Sequence, residues 1–105
     1  MSYNTGNIVK LSVISVTLSP AAVAANTSAE QTFTVNGLQA GDFVSVNKPT
    51  AQAGLGLVGA RVSAANTLAI TFGNFTASSI TPTAAQVYTC LVARPDSTLT
   101  DANLP

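Results

Sequence analysis

The feature that most constrains this chain is a period-two alternation of Val, Thr, Ile, Leu and Phe, running through most of the sequence between short clusters of Gly, Asn, Pro and Ser. Successive side chains of a strand point to opposite faces, so this is the period of β-structure. No stretch carries the i, i+3, i+4 stripe of an amphipathic helix. Six or seven short strands with turns every eight to twelve residues in a chain of 105 predict an all-β fold, a single antiparallel β-sandwich. Immunoglobulin-like and jelly-roll strand orders are both open. The Cys–Trp–Cys signature of antibody domains is missing, since Trp is absent and Cys single.

The first predicted strand is Ile8 to Leu18, where Val9, Leu11 and Val13 share one face and Ile14, Val16 and Leu18 the other. That pattern reads as a one-residue slip of phase, as a β-bulge or a strand crossing between sheets would produce. Ser19-Pro20 breaks the strand, and Ala21 to Ala25 reads as a loop. Gln31 to Val35 alternates cleanly and ends in the turn Asn36-Gly37. In Phe43 to Asn47, Val44 and Val46 point one way and Phe43 and Ser45 the other. Val58, Ala60 and Val62 are in phase, Ser63 to Asn66 is a turn, and Thr67 to Phe72 puts Leu68, Ile70 and Phe72 on one face. Phe75 to Ala84 is a connection anchored by Ile80.

In the last strand, Ala85 to Ala93, Tyr88, Cys90 and Val92 oppose Val87, Thr89 and Leu91, so it is apolar on both sides. Such a strand is central in a sandwich or half of an interface. The expected core is Phe33, Val35, Val44, Val46, Val62, Leu68, Ile70, Phe72, Tyr88 and Val92. Residues 1–17 are a strand or an arm, 18–94 the sandwich, and 95–105 a polar tail.

Charge narrows the function classes. Lys10, Lys48, Arg61 and Arg94 balance Glu30, Asp42, Asp96 and Asp101 without clustering, which leaves no basic stripe for nucleic acid. Only 8% of residues are charged, against about 25% in a typical soluble domain, so much of the surface is expected to face other protein. No run approaches the ~18 apolar residues of a membrane span. Lys10 to Ala25 has the look of a secretory signal, but the polar lead Met1 to Asn7 has no positive charge, which argues against that reading.

Chemical motifs are sparse. With no His and one Cys, a metal site has few donors, and no cofactor is expected. Acid–base or nucleophilic catalysis lacks any local constellation of titratable groups, so an enzyme is not expected. Gly54-Leu-Gly-Leu-Val-Gly59 matches G-x-G-x-x-G, but a strand and a turn follow it where dinucleotide binding needs a helix. Cys90 reads as a buried, inert thiol, and Asp42 as a turn cap. Arg61 and Arg94 are placed to pair with Asp42 or Asp96 or with a partner's carboxylates, or else to stand as solvated strand-edge charges that discourage stray pairing. Asn26-Thr27-Ser28 and Asn74-Phe75-Thr76 fit the glycosylation triplet, a frequent coincidence in a chain rich in Asn, Ser and Thr.

Pro20-Ala-Ala-Val-Ala-Ala-Asn-Thr-Ser-Ala-Glu-Gln-Thr-Phe-Thr-Val35, Gly37-Leu38, Gly41-Asp42, Val44-Ser-Val-Asn-Lys-Pro49 and Gly59-Ala-Arg-Val-Ser-Ala-Ala-Asn-Thr-Leu-Ala-Ile-Thr-Phe72 together resemble small β-modules of tailed-phage virion proteins. The resemblance spans about residues 18 to 94 and implies a capsid decoration, or cement, protein; related modules occur in head and tail fibres. It implies a site on the capsid exterior, host cytoplasm during assembly, and the major capsid protein as partner. The rival reading is a receptor- or glycan-binding fibre module, for which Tyr3, Phe43, Phe75 and Tyr88 are the aromatic candidates.

A homotrimer is expected, then a homodimer. The expected interface takes Tyr3, Ile8, Val9 and Leu11 from the N-terminal segment and Val87, Leu91 and Arg94 from the last strand. The N-terminal segment is either an arm that adds a strand to a neighbouring subunit or the first strand of its own sandwich.

Overall fold

Six strands and no helix make up residues 7–96, the part of the chain that the computed structural model describes: β1 (Ile8–Leu18), β2 (Thr27–Thr34), β3 (Phe43–Asn47), β4 (Leu55–Ala64), β5 (Thr67–Asn74) and β6 (Gln86–Pro95). They form two three-stranded antiparallel sheets, ordered β1-β6-β3 and β2-β5-β4, packed as a sandwich. With β2-β5-β4 facing β6-β3, the strand order is that of an immunoglobulin-like sandwich, and β1 takes the place beside β6 that a final strand holds there.

Alternation builds the core. The inward residues of β5, Leu68, Ile70 and Phe72, are fully buried and meet Tyr88, Cys90 and Val92 from β6, the central strand of the other sheet. All ten residues expected in the core lie in it or pack against it. Leu18, at the end of the β1 alternation, and Val23 and Leu38, in connections where the period-two signal is lost, complete it. Each fully buried large aliphatic or aromatic side chain contributes roughly 1.5–3 kcal/mol.

Several local features differ from the sequence reading, among them strand starts: β2 begins at Thr27 and not Gln31, and β4 at Leu55 and not Val58. In β1 no slip occurs between Val13 and Ile14: the ladder with β6 is continuous from Lys10 to Leu18, and its irregularity lies at Ile8/Lys10. The strand is apolar outside in its first half (Val9, Leu11, Val13) and inside in its second (Ile14, Val16, Leu18), which mimics a slip. In β4 the bulge between Leu57 and Gly59 takes Val58 out of phase, leaving it exposed while Leu57, Ala60 and Val62 pack inward. Strand β5 also runs on through Gly73 and Asn74.

The connections are fastened by specific hydrogen bonds. Gly37, with φ +99°, makes the crossing from one sheet to the other; its N–H donates to Asn66 Oδ1 at 2.8 Å, and Asn66 N donates to Leu38 O at 2.8 Å. The buried Asn74 amide donates to Val23 O (3.0 Å) and Ser78 O (2.8 Å), and its Oδ1 accepts from Thr76 N and Oγ1. One side chain thereby closes the β5–β6 connection onto the β1–β2 loop. Of the segment read as strand or arm, Ile8 to Thr17 belongs to β1 and pairs with β6; residues 1–6, and the tail beyond Asp96, lie outside the described residues.

Candidate interaction face

The register across β1, β6 and β3 determines what the outer face of that sheet presents. Leu11 pairs with Ala93 and Ala93 with Phe43; Val13 pairs with Leu91 and Leu91 with Ser45; Ser15 pairs with Thr89 and Thr89 with Asn47. Directly opposed residues lie on the same face, so Leu11, Val13, Phe43, Leu91 and Ala93 form a contiguous apolar cluster at one end, with Val9 at the bulge beside it and Val87 further along. Val9, Leu11, Val13, Phe43, Val87 and Leu91 are 45–74% exposed. The outward positions from Leu11 to Thr17, Phe43 to Asn47 and Val87 to Ala93 include no charged residue. Contiguous exposed apolar patches of this kind are the surfaces that protein–protein contacts use.

Of the residues expected at an interface, Val9, Leu11, Val87 and Leu91 lie on this face or at its margin. Ile8 is half-buried at the start of β1 opposite Pro95, and Tyr3 is outside the described residues. Arg94 faces the other way. Its Nε and Nη2 donate to Asp42 Oδ1 and Oδ2, both at 2.9 Å, and Nη2 also donates to Gly37 O at 2.8 Å. With 19% of the arginine side chain and 1% of the aspartate side chain exposed, the pair belongs to the fold and Arg94 is not offered to the outer face. Val13 and Phe43 are additions. Val13 was legible from its spacing to Leu11, and Phe43 from its opposition to Val44 and Val46.

The Arg94 hydrogen bonds hold the Asp42 carboxyl below the ordinary aspartate range against the opposing effect of burial, with a smaller contribution from Gln39 N, which donates to Oδ2 at 3.0 Å. Asp42 N donates to Gln39 O in return, so Asp42 closes the turn before β3 as well as pairing with β6. The second ion pair lies on the outer face of the other sheet, where Arg61 meets not Asp42 or Asp96 but Glu30 of β2: its Nε and Nη2 donate to Glu30 Oε2 and Oε1 at 2.8 Å in solvent.

The remaining motifs are structural. Gly54 to Gly59 enters strand β4; Gly54 has φ +79°, and a Cβ there would lie 2.1 Å from Thr76 Cγ2. Cys90 is buried and unbridged, and burial pushes its thiol pKa up, away from the reactive thiolate. Asn74 is buried with its amide engaged twice, so its triplet offers no accessible acceptor. Tyr88 is fully buried and is no stacking platform, whereas Phe43 and Phe75 are exposed. Phe75 lies over the paired glycines Gly56 and Gly73 and borders a shallow cleft of about 360 Å³ with Asn26, Thr27, Ser28 and Asn74. Among the described residues no three His, Cys, Asp or Glu stand close enough to hold a metal ion.

No family model matches this sequence, and no curated protein or solved structure shows significant similarity to it.

Proposed function

We propose that the chain is a structural virion protein of a tailed phage, a decoration protein that binds the outside of the assembled major capsid protein shell and stabilises it without carrying out a reaction. The observation that supports this reading is the uncharged apolar outer face of β1-β6-β3, joined to the resemblance of residues 18–94 to phage β-modules. A decoration protein repeats its contacts over a symmetric lattice, so a modest single interface is multiplied by avidity.

The test is quantitative mass spectrometry of purified virions, with co-sedimentation of the protein on shells stripped of it. A copy number in fixed stoichiometric proportion to the major capsid protein, and rebinding to stripped shells, are expected. A few copies per particle would favour the fibre reading, whose support is the exposed Phe75 beside the Asn26–Ser28 cleft. Absence from virions would overturn both.

A further inference from the structure

A sandwich of two open sheets has four edge strands, and each exposes backbone N–H and C=O groups that invite pairing unless something blunts them. Three of the four are protected. Strand β3 has five residues and is followed by Lys48-Pro49. Strand β4 is interrupted by irregularities at Leu57/Gly59 and Val62/Ala64 and carries Arg61. Strand β2 carries Glu30, and Gln31 holds the backbone of Ala21 against it through Nε2 to Ala21 O (2.9 Å) and Ala21 N to Oε1 (2.7 Å).

Strand β1 is different. Its irregularity and its one charge, Lys10, lie at its start, and from Leu11 to Leu18 it has no charge, proline or bulge. Among the described residues it is hydrogen-bonded on one side only, to β6. Eight residues of edge make about 27 Å of ladder left unpaired among the described residues.

We propose that this edge pairs antiparallel with β1 of a second copy of the chain, joining two three-stranded sheets into one continuous six-stranded sheet across a two-fold axis. Three arguments favour a second copy over a strand of another protein. A two-fold pairing closes: both unprotected edges meet and the assembly ends on the two short β3 edges, whereas an added foreign strand would present a new edge of its own. The segment is uncharged, so pairing it with itself brings no like charges together. A two-fold axis near Ile14 also keeps outward residues opposite outward residues, setting Leu11 against Thr17 and Val13 against Ser15 of the second copy, which makes the two apolar outer faces contiguous. A contact made mainly along one strand edge is small beside the ~1,200–2,000 Å² of a standard interface, so the proposed dimer is a reversible one. The inference does not depend on the capsid role.

Ser15 tests it, being exposed, outward and close to the proposed axis. Light scattering of the wild-type chain at high micromolar concentration is expected to give two chains per particle. Ser15→Lys and Ser15→Glu, each folded by circular dichroism, are expected to weaken the dimer on the order of tenfold or more through like-charge repulsion. An equimolar mixture of the two variants is expected to restore it. Hydrogen exchange on the wild-type chain gives a second readout that needs no variant: the alternate amides of Leu11–Leu18 that face away from β6 should become more protected as concentration rises. One chain per particle, three chains per particle, a dimer indifferent to charge at Ser15, or exchange in β1 independent of concentration would each overturn the proposal.

Discussion

The two outer faces of the sandwich are built from the same kind of alternating strand and differ in what they expose. Outside β2-β5-β4, the cross-strand rows are Glu30–Thr71–Gly59 and Thr32–Ala69–Arg61, small and polar residues bridged by an exposed ion pair. Outside β1-β6-β3, the rows are Leu11–Ala93–Phe43 and Val13–Leu91–Ser45. The first face carries an ion pair and, at one end, the exposed Val58 and Phe75 over Gly73; the second has no charge at any outward position from Leu11 to Thr17, Phe43 to Asn47 and Val87 to Ala93. Folding does not require the difference, because both sheets bury their inner faces against the same core; the proposed capsid contact uses it.

The largest effect that would break this contrast is a matched truncation inside and outside. Leu68→Ala, in the core, is expected to cost about 2–5 kcal/mol in chemical denaturation. Leu11→Ala, on the exposed face, is expected to stay within about 0.5 kcal/mol. Comparable losses would make the outer face part of the folding core and not a surface held for a partner.

Next in size are the two ion pairs, one buried and one in solvent. Arg94→Met leaves the Asp42 carboxylate, 1% exposed, without its partner and is expected to lower the denaturation midpoint clearly, whereas Arg61→Ala, on a pair screened by solvent, is expected to shift it little. The same contrast has a pH signature. Arg94 lowers the pKa of folded Asp42, so the stabilisation is fully present above the unfolded aspartate value of about 3.9. It is lost as pH falls from there through the lower folded value. Denaturation midpoints of Asp42→Asn should therefore fall less steeply below about pH 4 than those of the wild type, while Glu30→Gln, on the exposed pair, leaves the curve nearly unchanged.

A smaller effect is expected at Gly73, on the polar face, where a Cβ would lie 2.9 Å from Val58 Cγ2 and 3.0 Å from Phe75 Cζ. Gly73→Ala must displace these two exposed side chains and is expected to cost about 1 kcal/mol in thermal or chemical unfolding. No measurable cost would mean that Val58 and Phe75 do not rest on the glycine pair.

The sheet character, the inward residues of β3, β5 and β6 and the two-sided apolarity of β6 were legible because period two maps directly onto faces once a strand is known. The pairing order was not, since alternation says which side a residue takes and nothing about its neighbours. Strand β1 shows the limit most clearly: its apolar residues change face along its length, and sequence alone cannot tell a bulge from a strand with two differently used halves. Val58 was misassigned because a bulge adds a residue without a residue-type signature. The Arg94–Asp42 pair links residues 52 positions apart, and although both were singled out, only the fold says that they meet. The apolar face was half legible: alternation put Val9, Leu11 and Val13 on one side of their strand and set Phe43 opposite Val44 and Val46, but only register showed that these residues adjoin Leu91 and Ala93.

The most direct test of the claim that the β1-β6-β3 outer face is the docking face is a paired charge substitution read by co-sedimentation with stripped shells. Leu91→Lys puts a cation at the centre of the apolar face, and Thr32→Lys puts one on the polar face beside Glu30. Both positions are exposed, so both variants should fold with wild-type circular dichroism. The expected result is that Leu91→Lys loses most of its binding while Thr32→Lys binds as the wild type does. Equal binding by the two variants, or loss confined to Thr32→Lys, would contradict the account.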